Sequence, residues 1–381
     1  TEVLEQKSDS AKVKFNVNNP SAETITEIKI ENLQCEILSQ EYNEGKSEII
    51  ANLHSPTIYV SKYDLLSITS KGAFNNAYTR DYEEGERTIE INLYRPINSI
   101  DDWKEINKYP DENYMLETDL DFRNEISSEI IISNYRGKLD GNGHKIQNIS
   151  TGNSTSLIGN LYGEIHNLYV ENYITESNIE TENLGIIGAI QKGGMVDGLY
   201  VNSAHLTESV GSVNIGIIAG KNLAGTIKNS YVKNSDITVY GEINIVYAGG
   251  ILGLSTMSTI NNSYVQNVKI KVDNALETAI GGIVGNETDI GNINYCYSDG
   301  QIESSGQNIG GIIGKTTGNV KNNYSVMSID GNASYIGGIV GFDSTGNNQY
   351  IEKNLALGNI YSVINTEQLG RIFGSKQEST N

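Results

Sequence analysis

The 381-residue sequence is poor in cysteine and proline, and each scarcity excludes something. Its two cysteines, Cys35 and Cys296, are far apart, which excludes a disulfide framework and a cysteine-based zinc site. The four prolines end at Pro110, and proline cannot donate a hydrogen bond to a β ladder. The long stretch without proline is therefore typical of strands that are paired on both sides.

Basic residues are also scarce, because 27 Lys and Arg face 47 Asp and Glu, a net charge of −20. We expect no nucleic-acid partner, since phosphate binding requires clustered Lys and Arg. No apolar run is long enough to span a bilayer, so we also expect no membrane insertion. The acidic balance fits a soluble, extracellular surface. The sequence starts without Met and ends just after a damaged repeat, and we interpret it as a fragment of a longer protein.

What the chain does contain is a repeat. The motif Gly-Ile-(Ile/Val/Leu)-(Gly/Ala) returns at intervals of roughly 30 residues, which is typical of stacked supersecondary units. About ten residues after most copies, a β-branched residue precedes a Tyr by four positions, as in Ile227 and Tyr231. Copies of the glycine motif begin at Gly185, Gly216, Gly250, Gly282, Gly311 and Gly338, and a damaged copy occupies Gly370 to Gly374.

The repeat length and its residues select one architecture. Helical repeats need apolar residues at i, i+3 and i+4, and leucine-rich repeats need a Leu-x-x-Leu-x-Leu pattern; neither occurs between Leu157 and Gly374. A β-propeller blade needs four strands, for which these repeats are short. The apolar, β-branched motif indicates a buried strand in a parallel stack. We predict an all-β protein with a right-handed parallel β-helix of roughly eight coils.

Residues 1–97 show short alternating runs, which predict a small antiparallel β-sandwich before the solenoid. The runs are Lys12–Val17, Glu27–Ile30, Thr57–Val60 and Thr88–Leu93. Residues 98–112 form a predicted helical cap or linker, with Ser99 as N-cap and Trp103 and Ile106 on one face. Residues 113–381 form the predicted β-helix, whose first coil needs such a cap over its edge.

The Tyr segment predicts which side chains point outward. Ile227, Ser230 and Val232 should face the core, while Lys228, Tyr231 and Lys233 face solvent. Asn167, Asn229, Asn262 and Asn322 should stack at a corner, which asparagine tolerates. The outward tyrosines form a candidate partner-contact strip consisting of Tyr169, Tyr200, Tyr231, Tyr264, Tyr297 and Tyr324. The alternative is that these rings stack on one another or lie beneath a neighbouring domain.

No catalytic constellation is evident. His54, His144, His166 and His205 include no His-Glu-x-x-His pair, and we interpret them as surface or packing residues. Cys296 occupies the position of Ser230 and Ser263 in sister repeats, so it should be a small packed residue. Gly311 to Thr316 resembles a phosphate-binding loop but lacks its first glycine. We therefore predict no catalytic, cofactor-binding or metal-binding residue in this chain.

Asp119, Asp121 and the run Gly137 to His144 invite one further interpretation. Acids on a β-helix can bind calcium or act as acid and base in polysaccharide lyases and glycosidases. However, Asp-Gly-Asn-Gly is also a strong turn signal, and the sister coils supply no file of further acids. A carbohydrate-active enzyme remains an alternative, and it predicts activity that is lost in Asp119→Ala or Asp121→Ala.

Several segments together resemble the non-catalytic N-terminal and middle region of the bacterial immunoglobulin A1 protease family of zinc metalloproteases. They are Tyr114–Phe122, Tyr135–Ile149, Ser156–Val170 and the following repeats, which are similar to GLUG motifs; Asn52–Ile68 resembles the segment before this region. The resemblance implies a secreted protease at the bacterial cell wall, with zinc in a catalytic domain that lies C-terminal to this region.

Under that resemblance, this chain supplies scaffold and substrate recognition, and no catalytic residue carries over. Its partners would be a host protein such as immunoglobulin A1 and the parent's own catalytic domain. The alternative function is a β-helical surface adhesin that binds host protein or glycan. A His-Glu-x-x-His helix downstream of Asn381 would favour the protease, whereas a wall anchor or more repeats would favour the adhesin.

Overall fold

The structure is a computed structural model. It describes residues 1–376 except 73–75, 153–155, 242, 274, 332–333, 345–349 and 362–367. Regular structure is almost entirely β, and the described residues contain two short α-helices, Ile100–Lys104 and Ser127–Ile130, and the 3-10 turn Glu105–Asn107. The chain divides into two compact units. The first holds residues 1–97, 111–117 and 137–139, and the second holds 98–110, 118–136 and 140–381.

The first unit contains two antiparallel sheets that share one apolar core, as the alternating runs predict. Val13, Ile49 and Leu53 from one sheet and Ile28 and Ile89 from the other contribute to this core. The first sheet contains, in spatial order, Glu2–Gln6, Ser10–Asn18, Lys46–His54 and Gln34–Asn43; the second contains Thr24–Ile30, Lys62–Lys71, Ala77–Asp81 and Thr88–Glu90. The short strands Arg95–Ile97 and Tyr114–Leu116 pair in parallel, and Lys138–Asp140 is a further short strand.

Two of the predicted strands are corrected. Residues 57–60 are not a strand, and the strand predicted over 88–93 ends at Glu90. In the former segment the backbone amide of Val60 donates to the Tyr63 hydroxyl at 3.1 Å, and that of Ile58 donates to Ser55 Oγ at 3.2 Å. Side-chain acceptors thus replace a ladder partner for this backbone.

The second unit is a parallel β-solenoid of about seven turns, which confirms the predicted fold class. Three parallel sheets run along it. The first, here called the tyrosine sheet, comprises Leu120–Asp121, Lys145–Ser150, Glu164–Ser177, Met195–Glu208, Thr226–Lys228, Tyr231–Val239, Thr259–Asn261, Tyr264–Val272, Asn292–Asn294, Tyr297–Ser304, Asn319–Lys321, Tyr324–Ser325, Ser328–Gly331, Ile351–Glu352, Leu355–Ala356 and Ile360–Tyr361.

The other two sheets are built from shorter strands. Within the described chain, one has nine strands: Ile132–Tyr135, Ile158–Leu161, Ile187–Ile190, Ala219–Leu223, Leu252–Thr256, Val284–Glu287, Ile313–Thr316, Val340–Asp343 and Phe373–Lys376. The other has seven: Asn183–Leu184, Gly211–Gly216, Ile243–Gly249, Ala275–Gly281, Ile309–Gly310, Ile336–Gly337 and Leu369–Gly370. The inward side chains of these strands form a continuous apolar core, since Ile215, Leu252, Ile280 and Ile313 are fully buried.

The repeated glycine motif is a corner rather than the single buried strand that the sequence predicts. In the copy at Gly282 the seven-strand sheet ends at Gly281, residues 282–283 bend, and the nine-strand sheet resumes at Val284. Glycine is required because a Cβ on Gly282 would lie 2.2 Å from the carbonyl oxygen of Gly311 in the next coil. The motif therefore permits close approach of two backbones where the chain changes sheets.

The predicted helix is present at the start of the second unit. Ser99 Oγ accepts a hydrogen bond from the Asp102 amide at 3.2 Å, as an N-cap should, and Trp103 and Ile106 are buried. Asn107 then satisfies backbone groups beside the first strand of the nine-strand sheet: it accepts from the Ser133 amide and donates to the Ile131 carbonyl. These bonds tie the helical segment to the strand that begins that sheet.

Candidate partner-contact surface

The six tyrosines of the predicted strip occupy one outward position of the tyrosine sheet. Strand register pairs each with the next, from Tyr169 through Tyr324. The same position is Lys145 in the preceding coil and Leu355 in the following one. The alternation of buried and exposed residues in these strands fixes this orientation: Val232 is fully buried beside Tyr231.

The rings form two stacks. Ring centroids are 4.7 Å apart for Tyr169 and Tyr200, 4.9 Å for Tyr200 and Tyr231, and 5.2 Å for Tyr231 and Tyr264. A second stack joins Tyr297 and Tyr324 at 5.4 Å. Among the described residues the ring contacts stop between Tyr264 and Tyr297, although these two residues are still partners in strand register. The break separates a four-ring stack from a two-ring stack.

Stacking decides which part of each ring a partner can reach. The interplanar angles in the first stack fall from 46° to 22°, so the inner rings cover one another's faces. Tyr169 and Tyr324 are exposed, and the rings between them are half-buried. What remains accessible along the stack is a row of ring edges and hydroxyl groups. Edges and hydroxyls suit protein contacts, whereas sugars prefer an open ring face.

Charged groups lie beside this row. Lys233 Nζ lies 4.8 Å from the Tyr231 ring centroid and 5.5 Å from that of Tyr264, within the range of cation–π attraction. Lys145 and Glu171 form an ion pair at 2.9 Å near the first ring. Together with Tyr169, Tyr200 and Tyr231, these residues line a shallow groove of about 390 Å³. The groove therefore combines aromatic edges with both signs of charge.

The phenol groups of Tyr200, Tyr231 and Tyr297 stay protonated near neutral pH. Burial, reinforced by the neighbouring Tyr169, raises the pKa of Tyr200 and of Tyr231. Burial also raises the pKa of Tyr297. Each of these hydroxyl groups can consequently both donate and accept a hydrogen bond near neutral pH.

The predicted asparagine corner lies next to the strip, but its amides do not form one continuous ladder, because Gly198 and Tyr295 occupy the corner in two of the coils. Asn167, Asn229, Asn262 and Asn322 all have φ between +48° and +56°. Asn262 Nδ2 donates to Asn229 Oδ1 at 2.7 Å, and Asn229 Nδ2 donates to Asp197 Oδ1 at 2.7 Å. The sequence missed a second corner in the same strands, where Asn267 donates to Asn234 at 2.9 Å. The signal for it was a second Asn five residues after the first.

Asp119 and Asp121, the acids considered for carbohydrate chemistry, accept hydrogen bonds from the neighbouring strand of the solenoid. Asp119 Oδ1 accepts from the Lys145 amide at 3.1 Å, and this bond lowers the pKa of Asp119. Asp121 accepts from Asn148 Nδ2 at 2.9 Å, which lowers its pKa as well. A general acid requires a raised pKa, so the shifts run opposite to that role.

The structure also places the remaining candidate residues. Each histidine lies beside a carboxylate: His54 by Asp9, His144 by Asp119, His166 by Glu164 and His205 by Asp236. Cys296 is buried, and burial raises the pKa of its thiol to about 12. Thr316, from the loop-like run, is buried within a strand. Within the part of the chain that the structure describes, no three His, Cys, Asp or Glu side chains cluster to hold a metal.

Sequence reasoning also missed a polar file inside the solenoid. Register aligns Asn222, Ser255 and Glu287 on the inner face of the nine-strand sheet, with Thr316 and Asp343 aligned further along it. All five side chains are buried. Burial raises the pKa of Glu287 to about 7, although Thr316 Oγ1 donates to its Oε2 at 2.6 Å. In the sequence these are isolated polar residues, so only the alignment of successive strands reveals the file.

The fold and surface define a parallel β-solenoid with a stacked tyrosine ladder, joined in sequence to an antiparallel β unit. No protein-family model matches the sequence, and no curated protein does. Among solved structures, the chain is similar to a protein from Bacteroides ovatus named "putative immunoglobulin A1 protease". The two are 16% identical, with a TM-score of 0.39, over 74% of this chain and 84% of that one. No described helix has the length and apolar character to cross a membrane.

Proposed function

We propose that this chain is the non-catalytic scaffold and substrate-recognition region of a secreted zinc metalloendopeptidase at the bacterial cell surface. Its substrate would be a host protein such as immunoglobulin A1, and its second partner would be the catalytic domain of the same protein. The solenoid supplies the scaffold, and the tyrosine strip supplies the recognition surface. Zinc would belong to that catalytic domain.

The observation that carries the recognition role is the accessible row of tyrosine edges with Lys233 beside it. Tyrosine is enriched at protein interfaces because it offers a large, rigid contact area at low entropic cost. The solenoid already fixes the stacked rings in place, so a partner would order few side chains on binding. The sequence resemblance to the immunoglobulin A1 protease family supports the choice of a host protein as partner.

A binding measurement tests this role. The chain is immobilised and titrated with immunoglobulin A1, and wild type is compared with Tyr231→Ser/Tyr264→Ser. We expect the double variant to bind at least about tenfold more weakly, since interface tyrosines are frequent hot spots. Tyr240→Ser is the matched control, because Tyr240 is exposed but lies outside the strip. Equal binding by wild type and the double variant, with both folded, would refute the recognition role.

The protease assignment has its own test. The isolated chain should neither cleave immunoglobulin A1 nor bind zinc stoichiometrically, and the parent sequence downstream of Asn381 should encode a His-Glu-x-x-His helix. Stoichiometric zinc or cleavage by this chain would overturn the assignment. A wall anchor or further repeats in place of that helix would favour the adhesin, and the ring-edge geometry would then favour a protein receptor over a glycan.

A further inference from the structure

The first unit contains a cleft of about 440 Å³ that no part of the proposed function uses. Strands of both antiparallel sheets line it. Its apolar wall includes Phe15, Ile25 and Leu65, each less than a tenth exposed. This volume lies within the range of small-molecule sites, roughly 300–1,000 Å³, and such sites combine apolar walls with a few placed polar groups.

Two arginines supply the polar groups. Arg80 and Arg87 both line the cleft, and their Cζ atoms lie 5.0 Å and 4.9 Å from the centroid of the Tyr82 ring. Stacking on one ring restricts both guanidinium groups and places both beside the same side chain of the cleft. The cleft thereby contains two of the six arginines in the chain.

Neither guanidinium forms an ion pair within the described part of the chain. No Asp or Glu oxygen of the described residues lies within 4.0 Å of Arg80 or Arg87. The acid that does line the cleft, Glu23, accepts a hydrogen bond from Ser70 Oγ at 2.5 Å. Four acids, Asp81, Glu83, Glu84 and Glu86, lie between the two arginines in the sequence, but none of them occupies either guanidinium group, which leaves both groups available to a ligand. Planar guanidinium groups match carboxylates in two-point hydrogen bonds.

We propose that this cleft binds a small organic carboxylate with an apolar body. Arg80 and Arg87 hold the carboxylate, and the wall formed by Phe15, Ile25 and Leu65 takes the apolar portion. Both halves of the ligand are needed, because exposed arginines alone bind a carboxylate weakly in water. The cleft does not depend on the tyrosine strip, so an experiment can refute one of the two proposals without affecting the other.

Calorimetric titration of the full chain with octanoate and with octanamide tests the proposal without any mutation. The two probes share the apolar chain and differ in charge. We expect saturable binding of one octanoate per chain, with octanamide at least about tenfold weaker, since hydrogen bonds to charged groups are the stronger kind. No saturable octanoate binding, or equal affinity for the two probes, would overturn the proposal.

Variants then assign the residues. Arg80→Gln and Arg87→Gln should each weaken octanoate binding about tenfold and leave octanamide unchanged. Arg123→Gln is the control, because Arg123 is exposed and belongs to the other unit. Far-ultraviolet circular dichroism checks that each variant is folded. Octanoate binding that survives the double substitution in a folded protein would contradict the assignment, and so would equal weakening by the control.

Discussion

Asn262 and Asn229 lie one coil apart, and the side-chain amide of Asn262 donates to the side-chain carbonyl of Asn229 at 2.7 Å. Both backbones are left-handed, with φ of +49° and +51°. Asparagine serves two purposes here: it tolerates this backbone conformation and it joins neighbouring coils through its amide. The corner beside the tyrosine strip is therefore held by side chains as well as by the sheet.

Replacing Asn229 separates these two contributions. Asn229→Ala should lower the free energy of unfolding by about 2 kcal/mol, because alanine loses the amide bonds and also disfavours the left-handed backbone. Asn229→Gly should cost less, about 1 kcal/mol, because glycine accepts positive φ. Urea unfolding measures both. Equal losses for Ala and Gly would show that the backbone conformation contributes nothing.

Tyr295 occupies the same corner in its own coil, with φ of +53°, and its side chain is 63% exposed. A bulky residue in this conformation is strained and gains little from packing. Tyr295→Asn should therefore raise the free energy of unfolding by about 1 kcal/mol. Thermal unfolding measures the change. Tyr240→Asn, at an exposed position outside the left-handed set, should give no gain, and a similar rise in both variants would contradict the explanation.

Glu287 makes stability depend on pH. Its pKa is about 7 in the folded chain, compared with 4.5 for an unburied glutamate as in the unfolded chain. The folded protein therefore binds the proton more tightly. Stability should then fall as pH rises from about 4.5 to about 7, by up to about 3 kcal/mol, and stay level above that range. Glu287→Gln should remove this loss of stability. The variant should therefore have a higher free energy of unfolding than wild type at pH 8, and the two values should be equal near pH 4.5.

The control for this prediction is Glu176→Gln, which neutralises an exposed carboxylate in the same unit. It should leave the pH dependence unchanged. Denaturant unfolding at pH 4.5, 6 and 8 gives the comparison. If wild type and Glu287→Gln show parallel stability profiles over this range, Glu287 does not carry the titration.

Gly282→Ala should destabilise the solenoid by about 1–3 kcal/mol or more, the cost of forcing extra volume into a packed interior. The added Cβ would meet the Gly311 carbonyl oxygen at 2.2 Å, and backbone on the next coil cannot yield as a side chain can. Gly72→Ala is the control, because its Cβ would meet only the Glu23 side chain, at 3.4 Å. A loss below about 0.5 kcal/mol at Gly282 would contradict the close-approach explanation.

The sequence by itself determined the class of fold and much of its local detail. The period of the repeats indicates stacked coils, and alternation places Val232 inward and Tyr231 outward, because successive side chains of a strand face opposite sides. The Ser99 cap and the Asn229 corner were likewise predictable, since each depends on the chemistry of a few neighbouring residues.

Only the tertiary structure decided what lies next to what across coils and sheets. The ring stack breaks after Tyr264 although strand register still pairs this residue with Tyr297. Glu287 acquires its raised pKa from burial in a polar file, and Arg80 and Arg87 both come to lie beside the Tyr82 ring. A repeat pattern encodes which face a residue occupies. The neighbours of that residue depend on register and coil length, which are set when the whole chain packs.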